Sequence, residues 1–113
     1  MLSTVKSDLP QGTLDLLILK AVAVEPVHGY AIAQRLEQVS RGVVKVPEGS
    51  LYPALQRMLK DGWVKAEWGI SSTNRRVRIY KLTAAGARHL EREVSSFERM
   101  LEGIRRVLSP AES

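Results

Sequence analysis

Residues 84–108 carry apolar side chains at Ala87, Leu90, Val94, Phe97, Leu101, Ile104 and Leu108, a spacing that alternates three and four. That spacing draws one stripe along an α-helix and holds it for three heptads, the pattern of a helix–helix seam. Thr83 just before the segment is a suitable N-cap. A helix from Ala84 to Leu108 would be about 37 Å long at 1.5 Å per residue. The 83 residues before it would make a body about 30 Å across. The helix therefore overhangs its own domain, and a second copy of the chain is the simplest cover for the overhanging stripe. Leu90, Val94, Phe97, Leu101, Ile104 and Leu108 are accordingly expected at a homodimer interface. Gly103 weakens the helix by up to about 1 kcal/mol relative to alanine without ending it.

What precedes this helix reads as three more helices and a hairpin. In QGTLDLLILKAVAV (11–24) apolar residues face nearly every side, so the helix must be covered from two directions. Pro26 disfavours helix at Glu25 and ends it. HGYAIAQRLEQVS places Ala31 or Ile32, Leu36 and Val39 at helical spacing after His28 and Gly29, and predicts a second helix. The third, EGSLYPALQRMLKDGW (48–63), buries Leu51, Leu55, Met58 and Leu59 and stops at Gly62. Its proline is tolerable if regular helix begins near Ser50, where the first turn has no use for the missing N–H. WVKAEW and RVRIYKL alternate, with Val64, Ala66 and Trp68 on one side, and should pair across the polar turn GISSTNR. The fold class expected is mainly α with a small β-hairpin: a winged helix-turn-helix over 1–83, followed by a dimerisation helix and short tail over 84–113.

Chain length and composition narrow the function. With 113 residues, 44% apolar and 26% charged, the chain has the make-up of one ordinary globular domain. It has no cysteine and only two histidines. Disulfides, thiolate metal sites and cysteine nucleophiles are thereby excluded, and neither metal nor cofactor is expected. No run of eighteen apolar residues exists, and the opening MLSTVKSDLP lacks the apolar core of a secretory signal, so a cytoplasmic protein with no membrane partner is expected. There is no phosphate-binding glycine loop, paired-carboxylate site or serine–histidine–aspartate set in a supporting context, and hence no catalytic residue to name. His28 reads as a capping or packing group and His89 as an isolated imidazole. Tyr30 and Tyr80 read as half-buried.

The net charge of +5 is unevenly spread. Residues 28–83 hold ten basic and four acidic groups, so the excess lies in the third helix, its approach and the hairpin. Concentrated positive charge is the footprint of a protein that binds a polyanion. On the third helix Ser50, Pro53, Gln56, Arg57 and Lys60 fall outside the apolar stripe, with no carboxylate among them before Asp61. Such a face suits a DNA major groove, where arginine and glutamine pair with guanine and adenine edges. The hairpin tip adds Asn74, Arg75, Arg76 and Arg78 for a phosphate backbone or a narrow minor groove. Lys45 is placed for a phosphate. Tyr52 either offers its hydroxyl to the same face or is wedged against the domain. Trp63 and Trp68 are expected in core or wing packing.

Taken together, LPQGTLDLLIL (9–19), HGYAIAQRL (28–36), VPEGSLYPALQRMLKDGWV (46–64), EW (67–68) and RRVRIYKLTAAG (75–86) resemble a PadR-family transcriptional regulator. The resemblance covers most of the chain. It implies a winged helix-turn-helix domain, a homodimer built with the last helix, and repression at a palindromic promoter site. It places Ser50, Tyr52, Pro53 and Arg57 in the recognition helix and Arg75, Arg76 and Arg78 in the wing. With one helix after the wing, the chain resembles the short branch of the family. Some short members bind planar drugs beside a tryptophan on the last helix, where this chain has only Phe97, and a small-molecule effector stays an open alternative. The rival readings are a winged helix that serves as a protein-interaction adaptor and a nonspecific architectural DNA binder.

Overall fold

The computed structural model describes residues 10–109; the opening MLSTVKSDL and the end of the short tail, both used above, lie outside them. The elements run α1 (Gln11–Val24), β1 (Val27–His28), α2 (Gly29–Val39), α3 (Glu48–Lys60), β2 (Val64–Ile70), β3 (Arg76–Leu82) and α4 (Ala84–Leu108). The strands form one antiparallel sheet in the order β1-β3-β2. The expected hairpin is there, in the register Val64 opposite Leu82 through Ile70 opposite Arg76. Strand β1 is an addition. It pairs Val27 with Tyr80 and His28 with Ile79, and His28 also stands at the N-cap position of α2, where its side chain makes no capping hydrogen bond.

The apolar α1 is covered as its composition requires, by α2 on one side and by α4 and β3 on others. Ile18, Leu19, Ala21 and Val22 of α1 meet Ile32, Leu51, Ala54, Leu55, Met58, Val64, Tyr80 and Leu90 in one core. Two expectations about this core fail. Val39, the last residue of α2, is 75% exposed. Tyr80 is buried and Tyr30 exposed, so neither is the half-buried residue expected.

Helix α3 starts at Glu48, earlier than the proline argument assumed, and Pro53 lies well inside it. The helix survives because Gly49, whose carbonyl loses its partner, is exposed, while the amides of Ser50 and Leu51 both bond the carbonyl of Pro47. Its end is as expected. Gly62 takes φ +80° and the amides of Gly62 and Trp63 bond back to Leu59 and Met58, closing the helix with left-handed backbone.

The join to α4 is tight. Thr83 caps the helix by accepting from the Gly86 amide at 2.9 Å and donates its own hydroxyl proton to the Gly62 carbonyl at 2.6 Å. A methyl group on Gly86 would overlap the carbonyl oxygen of Trp63, so only glycine lets α4 approach the start of β2 this closely. One turn on, the His89 ring stacks on Trp63 with centroids 4.0 Å apart and planes 5° from parallel. His89 is therefore not the isolated imidazole that the sequence suggested.

The apolar stripe of α4 divides in two. Leu90 is in the core and Val94 and Phe97 pack against it, whereas Ala87 is exposed. Farther along, Ile104 and Leu108 are exposed together with Met100 and Val107. The molecule measures 57 × 33 × 20 Å; Leu101 is half-buried, and beyond it α4 has no cover among the described residues.

Candidate nucleic-acid interface

The α3 face opposite the core carries Tyr52, Pro53, Gln56 and Lys60 exposed, with Ser50 and Arg57 half-buried. Arg57 is less free than helical spacing implies. Its Nη2 donates to the Asp15 carboxylate of α1 at 2.8 Å, and its Nε is buried with no hydrogen-bond partner. Beside this pair lies a cleft bounded by Gln11 and Leu14 of α1, Lys45 of the approach, and Ser50 and Pro53 of α3. Lys45 is held in turn by Glu37 at 2.8 Å on an exposed part of α2.

Tyr52 reaches the other way. A Cβ on Gly29 would stand 2.8 Å from Tyr52 Cε1 and 2.9 Å from its hydroxyl, so the ring lies over the first residue of α2 with a glycine beneath it. The ring is wedged against the domain, and it still shows 40% of its surface. Burial first, then the charges of Glu48 and Tyr80, push its phenol above the ordinary tyrosine range.

The hairpin supplies the second half of the site. Its turn is held by Ser71: the Ser71 amide donates to the Arg75 carbonyl, the Asn74 amide donates to the Ser71 carbonyl, and the Ser71 hydroxyl accepts from Thr73 and Arg75 amides. Asn74 takes φ 63°, a conformation that asparagine tolerates better than most residues. Because side chains alternate along a strand, Val64, Ala66, Tyr80 and Leu82 at the base share one face with Trp68, Ile70, Arg76 and Arg78 at the tip. That face buries Val64 and Tyr80 in the core and then runs out past it, leaving Trp68 59% exposed. The tip residues open onto a groove shared with His28, Tyr30 and Tyr52 at the starts of α2 and α3.

The first turns of α3 thus lie beside two clefts. Lys45, Ser50, Pro53 and Arg57 border one; Tyr52, Arg75, Arg76 and Arg78 border the other. Gln56 is exposed on α3 and Asn74 at the wing tip, outside both linings. Sequence reasoning gave no role to Asp15, which has no local signal at 42 residues from its partner. It also left Trp68 as packing, whereas the face it shares with Val64 and Ala66 is core at its base and open at Trp68.

The charged groups are not equally committed. Arg35, Lys45, Arg57, Lys81 and Arg106 each face a carboxylate. Among the described residues, Arg75, Arg76 and Arg78 form no such pair. Two of them face the indole of Trp68 instead, with Cζ of Arg76 4.3 Å and Cζ of Arg78 5.6 Å from the ring centroid.

Comparison with known proteins fits this geometry. The profile of the Transcriptional regulator PadR-like family matches residues 18–92, from the middle of α1 through the first third of α4. The chain belongs to the PadR-like family. Transcriptional regulator Rv3488 of Mycobacterium tuberculosis is 31% identical over 93 residues, which cover 82% of this chain and 83% of that protein. A PadR-like transcriptional regulator from Bacillus cereus superposes with a TM-score of 0.78 at 28% identity, covering 91% of this chain and 98% of that one. A transcriptional regulator from Clostridium thermocellum has the same fold, with a TM-score of 0.80 at 24% identity over 91% of this chain and all of that one. The PadR chain is therefore a transcriptional regulator with a winged-helix fold and a long last helix. In its PadR frame, α2 and α3 form the helix-turn-helix and β2–β3 the wing.

Proposed function

We propose that this PadR-family regulator is a homodimeric repressor that binds a palindromic promoter site. In this reading residues 1–83 bind DNA and 84–113 hold the dimer. The α3 helices of two protomers enter major grooves one helical turn apart, about 34 Å, while the wings lie on the flanking backbone. Ser50, Tyr52, Pro53, Gln56 and Arg57 line the base-reading side, and Lys45, Asn74, Arg75, Arg76 and Arg78 meet phosphate. The observation that carries the reading is the wing's three guanidinium groups, which face no carboxylate among the described residues and flank the outward α3 residues Ser50, Pro53, Gln56 and Arg57. Uncommitted cations beside such a helix supply both the salt-sensitive and the base-selective parts of DNA recognition.

Support for the dimer comes from the far half of α4. Met100, Ile104, Val107 and Leu108 are exposed on one projecting helix, and a second copy of the same apolar stripe is their natural complement.

The test is a binding titration of the purified chain on its own upstream DNA, challenged with excess random duplex. A complex that resists competition, at a footprint with two-fold symmetry, is the expected result. Equal binding to random duplex would point to an architectural role, and loss of every complex under challenge to a protein-interaction adaptor.

A further inference from the structure

We infer that Trp68 is a positioning residue for the wing's arginines, a ring that holds Arg76 over its face without neutralising it. The inference rests on the DNA-binding reading above and names how the wing is kept ready for phosphodiester oxygens.

An extended arginine on a hairpin tip needs something to limit its rotamers, and a carboxylate is the usual partner. A carboxylate would also cancel the charge and occupy the in-plane N–H donors through which a guanidinium grips phosphate. An aromatic face holds the cation through its quadrupole and leaves those donors, which lie in the guanidinium plane, pointing outward. The hairpin uses both devices, one on each face. On the outer face Lys81 is paired with Glu67 at 2.9 Å, diagonally across the strands. On the groove face the opposite diagonal joins Arg76 to Trp68, with Arg78 directly opposite the tryptophan. Lys81 on the outer face is thus neutralised, and the two arginines that face the groove with Tyr52 and Tyr30 are not.

Exposure of the indole supports this division of labour. Trp68 continues the core face of β2 but lies beyond the core, so most of its surface is open and Arg76 and Arg78 lie over its ring. Its removal should leave the domain folded.

The full-length chain and its Trp68→Ala, Trp68→Phe, Trp68→Leu, Arg76→Ala and Trp68→Ala/Arg76→Ala variants are titrated by fluorescence anisotropy on the native upstream duplex. Trp68→Ala is expected to weaken binding about two- to five-fold per wing, the scale of an exposed cation–π contact. Phenylalanine recovers most of the loss and leucine does not, and the alanine substitution adds little once Arg76 is gone. In the free protein, Arg76 Hε should lie upfield through the ring current and return to its ordinary position in Trp68→Ala. Rescue by leucine as good as by phenylalanine, or an undiminished loss in the Arg76→Ala background, overturns the inference while the DNA-binding reading stands. Failure of the wild-type chain to form a competitor-resistant complex overturns that reading, and this inference with it.

Discussion

Asp15 of α1 holds Arg57 of α3 through a 2.8 Å ion pair, so the arginine on the proposed reading side of the helix is tethered to the helix behind it. The tether has a direct consequence for recognition: a bidentate grip on guanine would require Arg57 to leave Asp15. Arg57→Ala should therefore relax base preference at one half-site position by less than the 1–3 kcal/mol or so of an unencumbered bidentate contact. Selection of preferred sites from a randomised duplex pool checks this, with an unchanged preference at every position counting against a base contact.

The reciprocal substitution acts on charge. Asp15→Asn releases the guanidinium and adds one positive charge per protomer. Both side chains are more than a quarter exposed, 28% and 37%, so the stability loss should stay within about 1 kcal/mol after solvent screening. Binding to random duplex should strengthen, and its logarithmic salt slope should steepen by about one per protomer. Anisotropy titrations at several salt concentrations read the slope, and an unaltered one would mean that freed Arg57 does not reach phosphate.

Gly86 and Gly103 lie on the same helix and should answer oppositely to alanine. At Gly86 the new methyl meets the carbonyl oxygen of Trp63, a backbone group that no rotamer change can move, and the variant should lose about 3 kcal/mol or more. At Gly103 the methyl meets open space, and helix propensity alone should add up to about 1 kcal/mol. Denaturant unfolding midpoints separate the two, and similar midpoints would remove the close approach of α4 to β2 as a feature of the fold.

The divided stripe of α4 makes a prediction that the heptad pattern alone did not. Ile104→Glu changes a residue exposed in the protomer, so it should give a monomer with an unaltered fold, whereas Leu90→Glu puts a charge in the core and should unfold the chain. Sedimentation velocity and circular dichroism together distinguish the outcomes. An Ile104→Glu protein that remains dimeric would refute the seam.

The raised phenol of Tyr52 gives a titration that absorbance at alkaline pH can follow. Folding favours the neutral hydroxyl, first by burial and then by the nearby Glu48 charge. Its stabilising effect is whole below the ordinary tyrosine pKa and fades as pH climbs through the raised value. Tyr52→Phe should delete a late-titrating tyrosine and remove that part of the alkaline loss.

Local signals in the sequence were good guides to local structure. Gly62 stopped α3, Thr83 capped α4 and the alternation of β2 and β3 gave their pairing, because each is decided by neighbours a few residues away. What escaped was decided at a distance. Strand β1 is two residues long, too short for any period, and exists through its pairing with Tyr80 and Ile79. The Asp15–Arg57 pair and the Trp63–His89 stack join residues far apart in sequence, where a helical wheel shows an outward arginine and a stray histidine. The candidate site was legible as a list of side chains, and its division into tethered and untethered cations was not.

The hairpin face that is core at its base and open at its tip limits how this wing can diverge among relatives. Because the pleat repeats every two residues, adding one residue to each strand would turn the tip over and carry Trp68, Arg76 and Arg78 to the outer side. Adding two to each would keep their orientation and move them outward by about 7 Å, roughly the spacing between successive phosphates along a strand. Wings of this design can therefore change their reach in steps of whole pleats while the core beneath them stays the same.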